Sequence, residues 1–94
     1  MRRRLSDDEV VRELAGLPNW TREGDAIVRS YRFARFADGI AFVQRVARVA
    51  DERDHHPDID IRYTTVRLSL STHDAGGITA ADVRLAKEIA ILET

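Results

Sequence analysis

Hydrophobic residues recur at helical spacing in three stretches of the chain. Two of these stretches begin with a capping box, in which a hydroxyl residue is followed three positions later by a carboxylate residue. The first stretch has Val10, Val11 and Leu14 after the box Ser6-Asp7-Asp8-Glu9. The second has Ile40, Val43 and Ala47 after Asp38. The third runs to about Leu92 after the box Thr79-Ala80-Ala81-Asp82. The pattern predicts three helices, the first ending at Gly16 and the second by His55.

Two other stretches alternate between apolar and polar residues, which is the period of a strand with one buried face. The first, Ala26 to Arg35, follows a turn and a short candidate strand at residues 20–22. In the second, residues 59–63 and 66–70 alternate on either side of a turn near Thr64. The pattern predicts two β-hairpins, one formed by residues 20–22 with 26–35 and one by residues 59–63 with 66–70.

The predicted order of elements is therefore helix, two strands, helix, two strands, helix, without an internal repeat or a linker. Hairpins combined with helices favour an α+β fold, a four-stranded antiparallel sheet with three helices on one face. A chain of 94 residues suffices for one modest core and not for two. We expect residues 1–94 to form a single domain.

The composition narrows the class of protein. The chain has no cysteine, which removes disulfides, thiolate metal sites and cysteine nucleophiles and fits a reducing, cytoplasmic setting. Fifteen Lys and Arg against sixteen Asp and Glu leave a formal net charge of −1, so no overall field attracts nucleic acid or a membrane surface. No apolar stretch has the length of a membrane span. We expect a cytoplasmic protein that binds neither nucleic acid nor membranes.

The three histidines fall close together in the sequence, at His55, His56 and His73. The first two follow the predicted second helix, and the third follows the last predicted strand. Histidine titrates near neutral pH without any perturbation, so such a cluster is a natural acid/base set. Asp51 lies four residues before His55, one helical turn away, where its carboxylate could orient the imidazole.

Other interpretations of these residues stay open at this point. A His-His-Pro segment is also an ordinary end of a helix, Trp20 suits core packing as well as a ligand platform, and Asp82 is explained as the carboxylate residue of a capping box. A metal site is a further alternative, although adjacent histidines do not easily point at one ion. Its ligands would be Asp51, His55, His73 and Asp74.

A spaced signature links these residues to a known family. It reads Asp51-x-x-x-His55-His56-Pro57, then Tyr63 after five residues, His73 after nine and Asp82 after eight. This signature resembles that of the pterin-4a-carbinolamine dehydratase family, also known as the dimerization cofactor family. The surrounding Leu70-Ser71-Thr72-His73 and Gly77-Ile78-Thr79 are similar to family members as well, whereas Ile59 stands where many members carry a tryptophan.

The resemblance implies an activity: dehydration of 4a-hydroxytetrahydropterin to quinonoid dihydropterin, a step that recycles the cofactor of aromatic amino acid hydroxylases. It implies catalysis by His55, His56 and His73 without a metal or an organic cofactor, with His55 and His73 transferring protons and His56 holding the substrate. The residues that it implies for substrate binding are Asp51, Trp20, Ser71, Thr72 and Asp82.

The resemblance also implies an assembly, a homodimer that pairs sheet edges and is sometimes doubled into a homotetramer. Relatives of the family serve as transcriptional dimerization cofactors, and some domains of this type act in protein assembly. The alternative function is therefore a non-catalytic dimerisation or assembly module of the same fold that binds a protein partner. Retention of all three histidines favours the enzyme.

Overall fold

The computed structural model describes residues 3–92, and its elements follow the predicted order. They are α1 (Asp7–Ala15), β1 (Thr21–Glu23), β2 (Ala26–Arg32), α2 (Phe36–Arg53), β3 (Asp58–Arg62), β4 (Thr65–Leu70) and α3 (Ala80–Ile91), with a 3₁₀ turn at His73–Ala75. Both predicted capping boxes are present, at the starts of α1 and α3. No helix in this part of the chain is long and apolar enough to cross a membrane.

The main difference from the sequence-based expectation lies between β2 and α2. The strand ends at Arg32 rather than Arg35, and the helix begins at Phe36, so Asp38 lies inside its first turn instead of before it. Arg35 is the N-cap residue in extended conformation, and its guanidinium contacts the Asp38 carboxylate at 2.9 Å. An acidic residue in a first turn is also favoured by the helix dipole.

The four strands form one antiparallel sheet in the order β1-β2-β4-β3. The central pair aligns Ile27 with Leu70 and Tyr31 with Val66, and the β3–β4 pair aligns Ile61 with Val66. Paired residues share a face, so these side chains all lie on one side of the sheet. Strands β1 and β3 are left as its two edges.

The core lies between that face and the helices. One continuous cluster joins the central strands to all three helices, which confirms that the helices pack on one face of the sheet. Its members include Val10 of α1, Phe42 and Val46 of α2, Leu85 and Ile89 of α3, and Ile27, Tyr31, Val66, Leu68 and Leu70 of the sheet. Full burial of each such side chain contributes roughly 1.5–3 kcal/mol. This packing fixes the end of α2 beside the start of α3.

Candidate active site

The end of α2 determines where the first two histidines point. Asp54 has a left-handed backbone (φ 49°) and donates its N–H to the carbonyls of the last helical turn. The amide of His55 also donates back, to the carbonyl of Ala50 at 3.1 Å. Such a left-handed cap reverses the chain direction. His55 is consequently buried, with 7% of its surface exposed, whereas His56 is exposed.

His55 makes its side-chain contact with the first turn of α3. Its Nε2 lies 2.6 Å from Oδ1 of Asp82, which has no exposed surface. Asp82 is also the N3 residue of the α3 capping box, because its Oδ2 accepts the backbone N–H of Thr79 at 2.8 Å. When Asp82 is ionised its carboxylate can only accept hydrogen bonds, and Nε2 of His55 then carries the shared proton. In the neutral ring the lone pair is then on Nδ1.

His56 has a different carboxylate partner. Its Nε2 lies 2.9 Å from Oδ1 of Asp51, and both side chains are more than half exposed, at 55% and 78%. Helical spacing predicts that Asp51 orients His55, and this prediction is wrong: Asp51 holds His56. The reason is that the left-handed residue Asp54 turns His55 towards α3. Each of the adjacent histidines thus has its own carboxylate.

The end of β4 forms the opposite wall of the site. Thr72 pairs with Gly77 through two backbone hydrogen bonds, of 2.9 and 3.3 Å, and the 3₁₀ turn that begins at His73 lies between them. The Ser71 hydroxyl donates to the carbonyl of Asp25 at 2.7 Å, which ties this segment to the turn between β1 and β2. Asp82 joins this segment to the end of α2, because it contacts both the Thr72 hydroxyl and the His55 ring.

The two segments border an open cavity of about 250 Å³. Its lining residues are Asp54, His55, His56, Ser71, Thr72, His73 and Asp74. The volume lies just below the usual range for ligand sites, about 300–1,000 Å³, so the cavity would accept only a small molecule or part of one. Asp54 and Asp74 were not predicted as contributors to an acid/base site; the available signal was their position directly beside His55 and His73.

Not every residue that the resemblance implied lies on this cavity. Asp82 is fully buried and reaches the cavity only through His55, and Asp51 reaches it through His56. Trp20 is buried in the core, with 4% of its surface exposed, and is absent from the cavity wall. The structure therefore brings together His55, His56, His73, Ser71 and Thr72, with Asp82 and Asp51 behind two of the rings.

His55 also borders a second cavity, of about 310 Å³, at the start of α3. Three arginines line it, Arg3, Arg53 and Arg84, and two of them form ion pairs with Glu9 and Glu88. It contains only one histidine, whereas the smaller cavity contains all three. The three-histidine cavity is therefore the candidate active site.

Comparison with known proteins assigns the chain to a family. The sequence profile described as Pterin 4 alpha carbinolamine dehydratase matches residues 3–92. The chain belongs to the pterin-4a-carbinolamine dehydratase family. The resemblance of its histidine signature to that family is confirmed.

Curated relatives and solved structures agree with the assignment to the dehydratase family. Proteins provisionally named pterin-4-alpha-carbinolamine dehydratase include one from Thermomicrobium roseum, 52% identical over 89 residues (95% of this chain, 96% of the relative), and one from Mycolicibacterium smegmatis, 55% identical over 85 residues (90% of each). The transcriptional coactivator/pterin dehydratase from Brucella melitensis superposes with a TM-score of 0.92 at 30% identity, covering 97% of this chain and 99% of that one.

A more distant neighbour shares the fold alone. It is a pterin dehydratase-like protein described as a RuBisCO assembly factor in the alpha-carboxysome, with a TM-score of 0.62 at 22% identity over 78% of this chain and 84% of its own. The dehydratase fold is thus also found in a protein described by an assembly role.

The cavity of this dehydratase-family chain offers acid/base groups rather than a set of metal ligands. Among residues 3–92, no three His, Asp or Glu side chains are grouped so that they could hold a metal ion. The alternative ligands Asp51 and His55 belong to separate pairs, with His56 and Asp82 respectively. Two imidazole rings, each beside a carboxylate, are suited to moving protons.

Proposed function

We propose that this chain dehydrates pterin-4a-carbinolamine, a 4a-hydroxytetrahydropterin, to quinonoid dihydropterin in tetrahydropterin recycling. The observation that supports the proposal is the presence of all three histidines on the wall of one cavity. Membership in the dehydratase family supplies the reaction class.

The reaction needs two proton transfers. The bond between C4a and the hydroxyl oxygen breaks, the oxygen takes up a proton and leaves as water, and a ring nitrogen loses a proton as the C=N bond forms. His55 and His73 are the proposed proton-transfer pair, because both border the cavity from opposite segments. The carboxylate of Asp82 stabilises the His55 ring when it is an imidazolium.

Substrate binding is assigned to the remaining wall. His56, held by Asp51, is proposed to bind the pterin at the exposed side of the cavity, and Ser71 and Thr72 to offer backbone groups at the end of β4. The implied role of Trp20 in substrate binding stays a prediction, since its ring is in the core. A ligand pinned in this way reacts faster because the reacting atoms are already oriented.

An assay of carbinolamine breakdown with the purified protein tests the proposal. We expect the wild type to accelerate the loss of 4a-hydroxytetrahydropterin over the uncatalysed rate, and a folded His55→Ala, His73→Ala double variant to lose most of that acceleration. A wild-type protein that leaves the uncatalysed rate unchanged would contradict the function.

Metal independence is a separate part of the proposal. The directions of His55 and His56, each towards its own carboxylate, do not favour a shared ion. We expect activity to persist in excess chelator. Loss of activity in chelator with recovery on addition of zinc would overturn this part and restore the set Asp51, His55, His73 and Asp74 as ligands.

The proposal includes a homodimer or homotetramer. Edge strand β3 carries Ile59 and Ile61, which are 36% and 38% exposed although they lie on the core face of the sheet. Apolar residues on an unpaired edge are typical of strands that pair with another chain. Light scattering across micromolar concentrations tests this point, and a mass of 10.7 kDa throughout, that of a single chain, would remove it.

The second candidate function is an assembly module that binds a protein partner, and the same exposed edge of β3 favours it. The two functions make different demands on the histidines. A module of this kind would keep its partner and its oligomeric state when His55 and His73 are replaced, whereas the dehydratase loses its rate. Wild-type protein without dehydratase activity would favour the module.

A further inference from the structure

Two threonine hydroxyls lie behind the carboxylate that holds His55. The Thr72 hydroxyl donates to Oδ2 of Asp82 at 2.8 Å, and the Thr79 hydroxyl lies 2.8 Å from that of Thr72. Thr79 also accepts the backbone N–H of Ala81 at 3.2 Å. Thr72, Thr79 and Asp82 are each at most 2% exposed. The four groups form a continuous buried line that ends at the imidazole of His55.

The chemistry of the groups sets the direction of every bond in this line. An ionised carboxylate has no hydrogen to give, so both Thr72 and His55 must donate to Asp82. The single hydroxyl hydrogen of Thr72 is then used, so the Thr79 hydroxyl must donate to Thr72. No step of the line can reverse while Asp82 remains ionised.

Helix capping does not account for Thr72. The capping box of α3 is complete with Thr79 and Asp82, and Thr72 comes from the end of β4, outside the helix. The equivalent box of α1, formed by Ser6 and Glu9, has no buried hydroxyl of this kind, and the remaining contact of Glu9 is with exposed Arg3. The Thr72 hydroxyl instead acts on the orientation of the Asp82 carboxylate.

We propose that Thr72 is a positioning residue for His55: its hydroxyl, oriented by Thr79, holds the Asp82 carboxylate so that the neutral ring of His55 stays in its Nε2–H tautomer. This inference rests on the proposed function for its kinetic consequence, because a fixed tautomer decides which ring nitrogen can take a proton from the substrate. The backbone of Thr72 keeps its proposed contact with the pterin, and the side chain acts through Asp82.

The tautomer can be measured without any activity. Long-range ¹⁵N–¹H correlation spectra of the histidine rings, recorded where His55 is neutral, are expected to show the Nε2–H form in the wild type. Thr72→Val keeps the shape and removes the hydroxyl, and is expected to admit the Nδ1–H form. Thr72→Ser should restore the wild-type spectrum. Thr65→Val, the same change at the start of β4, is the matched control and should leave the His55 signals unchanged.

Kinetics then separate positioning from substrate contact. If the wild type is a dehydratase, Thr72→Val is expected to lower kcat about tenfold, the scale of one hydrogen bond to a charged group, with little change in KM. Thr72→Ser should recover most of that loss. A raised KM with unchanged kcat would overturn the proposal, because it would mean that the hydroxyl binds substrate.

The spectra decide the inference even if the proposed function fails. A wild-type ring in the Nδ1–H form, or unchanged His55 signals in folded Thr72→Val, would overturn it whether or not the protein dehydrates a pterin. Absence of dehydratase activity together with the expected spectra would overturn the function and leave the positioning role supported. Thr72→Ala replaces Thr72→Val if the valine variant does not fold.

Discussion

The two capping boxes of the molecule use the same sequence motif in opposite surroundings. At the start of α1, Ser6 and Glu9 exchange hydrogen bonds of 3.2 and 2.8 Å on the surface. At the start of α3, Thr79 and Asp82 form the equivalent box, with the Thr79 N–H donating at 2.8 Å, but both residues are buried. Each box caps its helix by satisfying backbone donors that the helix leaves unpaired.

The difference lies in what else contacts each carboxylate. Glu9 forms an ion pair with Arg3, whose side chain is mostly exposed, and solvent screens such a pair. Asp82 holds His55 and Thr72 where no solvent reaches it. A local motif thus determines the helix start in both places, whereas tertiary packing makes one of the two carboxylates part of a candidate active site.

The largest expected effect is on the dehydration rate, when the histidine that Asp82 holds is removed and compared with removal of the arginine that Glu9 holds. His55→Ala is expected to lower the dehydration rate by roughly a hundredfold to ten-thousandfold, the usual range for general acid/base catalysis, and His73→Ala should do the same. Arg3→Ala, the matched change at the α1 box, should leave the rate unchanged. Steady-state kinetics of carbinolamine breakdown measure all three.

Stability must be measured beside these rates. A histidine that only packed at the end of α2 would reduce the free energy of unfolding when replaced and leave the rate per folded molecule unchanged. A well-folded His55→Ala, His73→Ala double variant with wild-type turnover would therefore show that neither ring is catalytic.

The second-largest effect is expected when each of the two carboxylates is replaced by its isosteric amide. Asp82→Asn removes the charge beside His55 and can present an amide N–H to Nε2, which would favour the wrong tautomer. We expect a rate loss of at least about tenfold and a loss of roughly 1–3 kcal/mol in the free energy of unfolding, because buried groups lose their partners. Glu9→Gln should change neither kcat nor KM. Equal kinetic behaviour of the two variants would remove the distinction between the boxes.

Much of this contrast could not be read from the sequence. Both boxes, the two hairpins and the histidine cluster follow from local spacing, and the structure confirms the elements. The pairing of His55 with Asp82 could not be predicted, because it joins residues that are far apart in sequence and depends on where α3 packs. The left-handed conformation of Asp54 was equally hidden, and it decides which histidine Asp51 holds.

Residues of the sheet show the same limit. Arg29 lies on the same side of β2 as Tyr31, with its guanidinium over the Tyr31 ring, 4.2 Å from the centroid. Spacing gives the side of the strand but not the stacking of the guanidinium on the ring, which depends on how the neighbouring elements pack. Trp20 was open to two interpretations for a similar reason: burial depends on packing from distant elements, which a single sequence does not display.

The third prediction concerns His56, the exposed neighbour of His55. Because His56 and Asp51 lie at the solvent side of the cavity, His56→Ala is expected to raise KM several-fold while kcat changes less. Measurement of kcat and KM under the conditions used for His55→Ala provides the comparison. A loss confined to kcat would instead make His56 a member of the proton-transfer set.

The fourth prediction concerns the hydroxyl groups of the two N-cap residues, Ser6 and Thr79. Ser6→Ala is expected to lower the free energy of unfolding by about 1 kcal/mol, the typical value of an N-cap. Thr79→Ala should cost more, because its buried hydroxyl also contacts Thr72. Urea unfolding gives both values. Equal losses would mean that burial adds nothing to the α3 cap.

The smallest expected effect is the pH dependence of the α1 box. The Arg3 guanidinium, and after it the backbone N–H of Ser6, lower the pKa of Glu9 to about 2. An unperturbed glutamate has a pKa of about 4.3, so the folded value is the lower one. The contribution of Glu9 to stability is therefore complete above the unfolded pKa and is lost as the pH falls from about 4 through about 2. Its size is small, since solvent screens the exposed pair.

Thermal unfolding of wild type and Glu9→Gln between pH 7 and pH 2 measures this dependence. The wild type should have a slightly higher Tm at pH 7, and the difference should shrink below pH 4 and be mostly lost at about pH 2, where the carboxyl of Glu9 is protonated in the unfolded state and about half protonated in the folded state. Raising the salt concentration at pH 7 should reduce the difference as well, because exposed ion pairs are screened. A difference that grows as the pH falls would have the opposite sign from that of a carboxylate stabilised in the folded state, and would show that Arg3 and Ser6 do not hold Glu9 in solution.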